Sequence, residues 1–117
     1  MSVEIYGIPN CDSIKKARKW LEEQGLDYTF HDYKKEGVDA GALERWADTC
    51  GWEVLLNRRG TTFRKLDEAA KTDIDRDKAL ALMQAHPSLI KRPVATRTDG
   101  DRVLVGFAVS EWENAFC

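Results

Sequence analysis

The 117-residue sequence has no Cys-x-x-Cys pair and no cluster of cysteine with histidine. Its three cysteines, Cys11, Cys50 and Cys117, are widely spaced, and its two histidines stand far apart. A structural zinc site needs several closely spaced sulfur or nitrogen ligands, so we expect no metal site. An odd number of cysteines cannot pair off completely within one chain, which argues against a disulfide framework and favours a reducing, cytoplasmic location.

Neither the net charge nor the hydropathy of the sequence is typical of nucleic-acid-binding or membrane proteins. Lys and Arg number 18 against 20 Asp and Glu, so the formal net charge is −2 and offers no general attraction to nucleic acid. No apolar run approaches the ~20 residues of a membrane span, and the first residues lack the pattern of a secretory leader. We expect a soluble monomer with no nucleic-acid or membrane partner.

The first third of the chain follows a strand–helix–strand pattern. Alternation predicts a strand over Val3–Gly7, and the pattern becomes helical from Cys11. Gly25 is a suitable residue to end that helix, and a second strand follows over Tyr28–Tyr33. Because so short a succession forms a right-handed crossover, the two strands are predicted to pair in parallel.

The middle of the chain is predicted to be mostly helical. Apolar residues at helical spacing predict a helix over Ala40–Cys50. The segment Val54–Gly60 indicates a short apolar turn that runs into a polar loop. Thr72 with Asp75 is a capping signal that opens a further helix. That helix ends at His86, because the residue before a proline disfavours helical backbone.

The last third predicts a hairpin and a helix. Strands over Val94–Thr98 and Arg102–Phe107 flank Asp99-Gly100, a dipeptide suited to the tight turn of a hairpin. Ser110 and Glu113 form a capping box that opens the final helix.

The predicted fold class is α/β. A βαβ unit, a helical insertion, a β-hairpin and a final helix give a four-stranded mixed sheet with helices packed on it, which is the thioredoxin-like order. We expect a single domain, with the thioredoxin-like core at about residues 1–35 and 88–117 and the helical insertion at about 36–87.

Cys11 lies where the first strand ends and the first helix begins. Unpaired N–H groups and the positive end of the helix dipole stabilise an anion there, so the pKa of the thiol is expected to fall. Lys15 and Arg18 add positive potential, whereas the carboxylate of Asp12 opposes it. A structural, buried cysteine is the alternative. The carboxyl end of a strand is the usual ligand-binding edge of an α/β sheet, which favours a reactive thiol.

The other two cysteines have no comparable position. Cys50 completes the apolar stripe of its helix, which indicates core packing, and Cys117 has no evident activating group. Ile14 occupies the position at which a dithiol motif would carry its second cysteine. An external thiol such as glutathione is therefore the simplest reductant for an adduct formed on Cys11.

Three arginines and a proline are further candidates for binding a ligand. Arg92 and Pro93 directly precede the hairpin, where a cis proline would present the neighbouring backbone to an extended ligand. A trans proline that only marks the start of the strand is the alternative. Arg58 and Arg59 lie in a polar loop and offer forked donors to carboxylates or oxyanions, unless they are simply solvated.

Three segments, Ile5–Ala17, Leu55–Gly60 and His86–Val94, resemble the ArsC/Spx/YffB family and occur in the order of that family. The YffB-like branch matches best. The resemblance implies a thioredoxin-like core with a helical insertion. It also implies that Cys11 is the reactive cysteine, that Arg92 corresponds to an oxyanion-binding arginine, and that the proline after it is cis.

The same resemblance implies a function. YffB-like proteins are regarded as glutathione-dependent thiol reductases, so we expect a monothiol oxidoreductase with glutathione or a glutaredoxin as its partner and no bound cofactor. Cys11 would be the nucleophile. The residues expected to bind the substrate are Asn10, Ser13, Arg58, Arg59, Arg92 and Pro93.

Two departures from the arsenate reductases of the family bear on the alternatives. Asn57 stands where those enzymes carry an arginine, and the apolar run Val103–Phe107 replaces the segment that holds another. Fewer fixed guanidinium groups weaken the binding of arsenate. A glutaredoxin-coupled arsenate reductase and a Spx-like regulator that binds RNA polymerase are the alternative functions. The lack of a cysteine at position 14 argues against the dithiol switch of many such regulators.

Overall fold

The computed structural model describes residues 2–97 and 102–117. In chain order, the strands and helices are β1 (Val3–Gly7), α1 (Asp12–Glu23), β2 (Tyr28–Asp32), α2 (Tyr33–Glu36), α3 (Ala40–Cys50), α4 (Trp52–Leu55), α5 (Thr61–Lys65), α6 (Glu68–Lys71), α7 (Arg76–Ala85), β3 (Val94–Arg97), β4 (Val103–Val105) and α8 (Val109–Phe116). A 3-10 turn, Pro87–Leu89, follows α7. The chain forms two compact units, Met1–Glu36 with Arg92–Cys117, and Gly37–Lys91.

The first unit is built on a four-stranded mixed sheet with the order β2-β1-β3-β4. β1 pairs in parallel with β2, so that Gly7 lies opposite Asp32. On its other side β1 pairs antiparallel with β3, so that Tyr6 lies opposite Val94. β3 and β4 also pair antiparallel. The predicted parallel crossover and the pairing of the hairpin strands are confirmed, and the fold is the expected thioredoxin-like α/β fold.

Aromatic side chains from α1 and α8 form the centre of the core on one face of this sheet. Trp112 is fully buried, and its ring makes edge contacts with Trp20, Phe107 and Phe116 at centroid distances of 6.0, 4.9 and 5.5 Å. Edge-to-face geometry adds to the apolar burial of such rings. Sheet residues of the same core are Val3, Ile5 and Ala95. This packing holds α1 against the sheet and so fixes the place of its amino end.

The opposite end of α1 stops as the sequence predicts. Gly25 has a φ of +70°, in the left-handed region that glycine adopts without steric cost. The N–H of Gly25 donates to the carbonyl of Glu22, and the N–H of Leu26 donates to that of Leu21, at 3.1 and 3.0 Å. These two bonds are the Schellman pattern that satisfies the last carbonyls of a helix.

The second unit, Gly37–Lys91, is helical. The predicted helix Ala40–Cys50 is confirmed, and the Asp39 carboxylate caps it by accepting a bond from the Ala42 N–H at 2.9 Å. Leu56 forms an antiparallel bridge with Ile90. Within this bridge the Asn57 N–H donates to Leu89 and the Lys91 N–H to Leu55, at 2.7 and 2.8 Å. These bonds tie the segment that carries Arg58 and Arg59 to the segment that ends the unit.

The predicted cap at Thr72 is wrong. The helix begins at Arg76, because the Asp75 carboxylate accepts a bond from the Lys78 N–H at 2.9 Å. The Thr72 hydroxyl donates instead to the carbonyl of Glu68. Of the two polar residues in the signal, the one nearer the helical pattern is the cap.

The predicted capping box of the last helix is also wrong. α8 begins at Val109 with Ala108 as its N-cap, and no side chain caps it. Ser110 therefore lies inside the helix, two positions after the N-cap. Burial of Trp112 and Phe116 holds this helix in place without the cap.

Several predicted limits shift. The second strand ends at Asp32, and Tyr33 begins α2 instead of ending the strand. The predicted turn from position 54 is in part the helix α4. The fourth strand covers only Val103–Val105 of the predicted Arg102–Phe107. The predicted Asp99-Gly100 turn lies outside the described residues. Within residues 2–97 and 102–117, no helix has the length and apolar character needed to cross a membrane.

Candidate functional site

Cys11 is the N-cap of α1, directly after the short connection from β1. Its backbone is extended, with φ −92° and ψ 131°, and its side chain makes no capping bond. The Cys11 N–H donates to Ile8 at 3.2 Å, and its carbonyl accepts from the Lys15 N–H at 3.0 Å. Its side chain is half-buried and unpaired with another cysteine. The thiol therefore lies at the amino end of a helix and is accessible to a reagent.

The surroundings of Cys11 lower the pKa of its thiol below the ordinary value. Partial burial is the largest single influence, and it raises the pKa because it disfavours the charged thiolate. The backbone N–H groups of Ile14 and Ser13 favour the thiolate, as does the positive charge of Arg92. Together these outweigh the burial, which gives the direction expected for a thiol at a helix start.

A close approach between β1 and α1 positions these donors. Gly7 is buried at the end of β1, and a Cβ atom at this residue would collide with the Ile14 side chain, whose Cγ1 atom would be only 2.9 Å away. Ile14 itself is fully buried. Glycine at this position therefore lets the first turn of α1 come close to the strand, which sets the place of the Ile14 N–H beside Cys11.

Arg92 and Pro93 lie at the start of β3, in the same unit as Cys11. The peptide bond between them is cis, as the family resemblance implies. The Cβ atom of Arg92 would lie 3.9 Å from a Cβ atom on Gly7. Pro93 is buried, and its carbonyl accepts a bond from the Gly106 N–H at 2.8 Å. The fold thus brings Arg92 beside the end of β1, where its charge favours the Cys11 thiolate.

The remaining candidates near Cys11 differ in what they contact. Asn10 is exposed in the turn before α1. Ser13 lies in the first turn of the helix, and it is its backbone N–H that favours the Cys11 thiolate. Sequence reasoning treated both as binding residues by resemblance alone.

Arg58 and Arg59 belong to the other compact unit, Gly37–Lys91, where both side chains are exposed. The Arg58 guanidinium lies over the Trp52 ring, 5.8 Å from its centroid, and the Arg59 N–H donates to the Asn57 side chain at 3.1 Å. They line a groove of about 400 Å³ together with Glu53, Leu56, Asn57 and Lys91. Three cationic side chains against one carboxylate make this groove suitable for an anionic group.

The other cysteines show no sign of activation. The Cys50 thiol donates to the Trp46 carbonyl at 3.1 Å, and burial raises its pKa. It is half-buried rather than fully packed in the core. Cys117 is exposed. Within the described part of the chain, no group of three histidine, cysteine or acidic residues is placed to hold a metal ion.

Sequence reasoning missed Tyr33 and Lys91. Tyr33 was predicted as the last residue of a strand, but its hydroxyl is buried and has no hydrogen-bond partner among the described residues. A strand pattern carries no signal for such a group. Lys91 lines the groove with Arg58 and Arg59, and its place directly before Arg92 was the available signal.

Known proteins resemble this chain over its whole length. An uncharacterised protein from Haemophilus influenzae is 42% identical over 114 residues, which cover 97% of this chain and 98% of the relative. A solved structure of a YffB protein is 52% identical, with a TM-score of 0.93 and coverage of 98% and 99%. The solution structure of an arsenate reductase (ArsC) related protein from Brucella melitensis is 56% identical, with a TM-score of 0.76 and coverage of 99% and 95%.

The family model agrees with these relatives. The model described as ArsC family matches residues 6–115, which include the whole segment from Cys11 to Pro93. This match covers Cys11, Arg92 and the helical segment between them. The chain therefore belongs to the ArsC family.

Proposed function

We propose that the protein is a monothiol oxidoreductase that reduces disulfides at Cys11 with glutathione as the reductant. The observation that carries this proposal is the place of Cys11 as the N-cap of α1, where two backbone N–H groups and the charge of Arg92 favour its thiolate. A thiolate is the nucleophile in thiol–disulfide exchange, so a group of donors that favours it increases the reactive fraction at neutral pH. Membership of a family related to arsenate reductases supports the same class of chemistry.

The proposed reaction has two exchange steps. The Cys11 thiolate attacks one sulfur of a mixed disulfide between glutathione and a second thiol, which forms a bond between Cys11 and glutathione and releases the second thiol as a thiolate. That thiolate takes a proton from water. A second glutathione thiolate then attacks the glutathione sulfur bound to Cys11, which regenerates the Cys11 thiolate and releases oxidised glutathione. The second thiol is thereby released in reduced form, one glutathione thiol is consumed, and its sulfur ends in oxidised glutathione with the glutathione that came from the substrate.

A single thiol needs such an external reductant. Ile14 stands where a second cysteine of a dithiol motif would be, and it is fully buried. In this proposal Arg92 stabilises the thiolate as nucleophile and as leaving group, and Pro93 aligns the peptide backbone of the co-substrate. Three free cysteines suit a reducing compartment such as the cytoplasm, where glutathione is available.

The other proposed binding residues follow from the resemblance and from the donors that they offer. Arg58 and Arg59 would bind a carboxylate of the co-substrate, because guanidinium groups pair with carboxylates through two parallel bonds. Asn10 and Ser13 would contact the ligand from the turn that carries Cys11.

The proposal is tested by the alkylation rate of Cys11 with iodoacetamide between about pH 5 and pH 9, read by mass spectrometry of the peptide that contains Cys11. We expect a titration below that of an ordinary thiol and a mixed disulfide with glutathione at Cys11. Arg92→Gln should slow alkylation at neutral pH by about fivefold, because a positive charge that favours the half-exposed thiolate is lost. Arg45→Gln, the same charge change at an exposed site, should leave the rate unchanged. An ordinary titration with no glutathione adduct would refute the proposal.

Arsenate reduction is the second candidate, and the observation that favours it is the same Arg92 guanidinium beside the nucleophile. Asn57 occupies the place of a further arginine in the arsenate reductases of the family. Turnover that depends on both arsenate and glutaredoxin, and that Cys11→Ser abolishes, would establish this activity. Turnover with mixed disulfides alone would exclude it as the main function.

A further inference from the structure

The hydroxyl group of Tyr33, in the first unit, is in an unusual environment for a polar group. The residue is 2% exposed, and its buried hydroxyl has no hydrogen-bond partner within residues 2–97 and 102–117. Among the described residues it is the only buried side-chain oxygen or nitrogen atom in that state. Native proteins almost always pair such groups, because burying a hydroxyl without a partner costs stability. The buried Tyr33 hydroxyl therefore needs a physical explanation.

The register of the sheet puts Tyr33 at the same edge as Cys11. Gly7 is the last residue of β1, and Asp32, its partner in the parallel ladder, is the last residue of β2. Tyr33 follows Asp32 directly, at the carboxyl ends of the two strands. Arg92 reaches this edge from the other side of β1, where its Cβ atom lies near Gly7. Cys11 follows β1 and sits at the same carboxyl end.

The surroundings of Tyr33 at this edge keep its hydroxyl protonated, so the hydroxyl can donate a hydrogen bond. Burial raises the pKa of the Tyr33 phenol far above its ordinary value, Tyr6 adds to the rise, and Arg92 opposes it. The phenol therefore keeps its proton at neutral pH. The charge of Arg92 acts on both this phenol and the Cys11 thiol, and a guanidinium has donors only. The Tyr33 O–H and Arg92 therefore share one edge of the sheet, and the part of the chain that the structure describes offers no acceptor to this O–H.

We propose that Tyr33 is a further binding residue of the Cys11 site, whose O–H donates to an anionic oxygen that the ligand carries next to its reacting atom. This inference rests on the proposed function, because it needs Cys11 to react with that ligand. The class of ligand is a sulfur compound or other electrophile with a carboxylate or oxyanion close to the atom that Cys11 attacks. Because the hydroxyl is closed to water in the free protein, the bond forms only as the bound anion draws the phenol towards Arg92.

Two alkylating agents that differ in charge measure this effect. Iodoacetate carries a carboxylate beside its reacting carbon, and iodoacetamide carries a neutral amide of the same size. In both cases the Cys11 thiolate forms the carbon–sulfur bond and iodide leaves. The ratio of the two rate constants at pH 7, followed on the peptide that contains Cys11, reports how well the site receives an anionic oxygen.

Tyr33→Phe removes one oxygen atom and keeps the ring. We expect the iodoacetate rate to fall about tenfold, equivalent to about 1.4 kcal/mol, while the iodoacetamide rate stays the same. Tyr28→Phe is the matched control, because its hydroxyl already bonds to Arg18 and Glu22 and lies at the other end of β2. Its ratio should not change. The temperature of unfolding of Tyr33→Phe should stay the same or rise, since an unpaired buried hydroxyl is removed.

Each other result would overturn the inference. An unchanged ratio in Tyr33→Phe, with Cys11 still reactive, refutes the role of Tyr33 and leaves the proposed function standing. An equal fall with both reagents means that Tyr33 acts on the thiolate and not on the ligand. A lower unfolding temperature means that the hydroxyl has a structural partner. A Cys11 thiol that is unreactive in the unaltered protein refutes the proposed function, and this inference with it.

Discussion

Adding one methyl group at Gly7 should disturb both the stability of the protein and the reactivity of Cys11. An alanine Cβ atom at this position would collide with the side chain of Ile14, which is fully buried. Overpacking of this kind costs about 1–3 kcal/mol. Alanine also stiffens the unfolded chain, which returns about 0.4–1 kcal/mol. We therefore expect Gly7→Ala to lower the free energy of unfolding by about 1–2 kcal/mol.

The same collision should also change the reactivity of the Cys11 thiol. Relief of the overlap pushes the first turn of α1 away from β1, and the N–H of Ile14 moves with it. Because that N–H favours the Cys11 thiolate, its displacement should raise the pKa of the thiol and slow alkylation at neutral pH. The measurements are urea unfolding and the pH profile of iodoacetamide labelling.

Two further variants make the reasoning refutable. Ile14→Val removes the atom nearest to the new methyl and alone costs about 0.5–1.5 kcal/mol. In the double variant with Gly7→Ala, the loss should be smaller than the sum of the two, which is the sign of a direct contact. Gly25→Ala, at the far end of the helix, is the control: its φ of +70° makes alanine unfavourable, so stability falls while Cys11 labelling stays normal. Strictly additive losses, or slower labelling in Gly25→Ala, would show that the contact does not position the thiol.

Two other predictions concern pH and helix capping. The pKa of Cys11 is lowered in the folded state, so its contribution to stability is present above the unfolded pKa and is lost as pH falls through the folded pKa. The pKa of Cys50 is raised in the folded state, so its contribution to stability is lost as pH rises. In urea unfolding between about pH 6 and pH 10, Cys11→Ser should therefore remove a rise of stability with pH, and Cys50→Ser should remove a fall; slopes of the same sign would contradict this assignment. Asp75→Ala should cost about 1 kcal/mol through loss of the α7 cap, and an equal or larger loss in Thr72→Ala would contradict the observed cap.

The two wrong caps show where local patterns stop being informative. In both signals a polar residue stands three positions before an acid: Thr72 before Asp75, and Ser110 before Glu113. Such a pair is compatible with more than one first residue of the helix. Asp75 became the cap in the first case, and neither residue did in the second. Trp112 and Phe116 of α8 are buried in the core, and this helix forms although no side chain caps it. Packing outweighs a cap of about 1 kcal/mol.

Hydrophobic spacing, together with glycine and proline, is enough to predict four features of the fold. These are the element order, the parallel crossover, the antiparallel pair of strands and the place of Cys11 at a helix start. These are local properties, because the period of a strand or helix is written in neighbouring residues. The influence of Arg92 on the Cys11 thiol and the buried state of the Tyr33 hydroxyl are not local properties. They depend on which strands become neighbours and in which register, so residues far apart in the chain meet only when the sheet has formed.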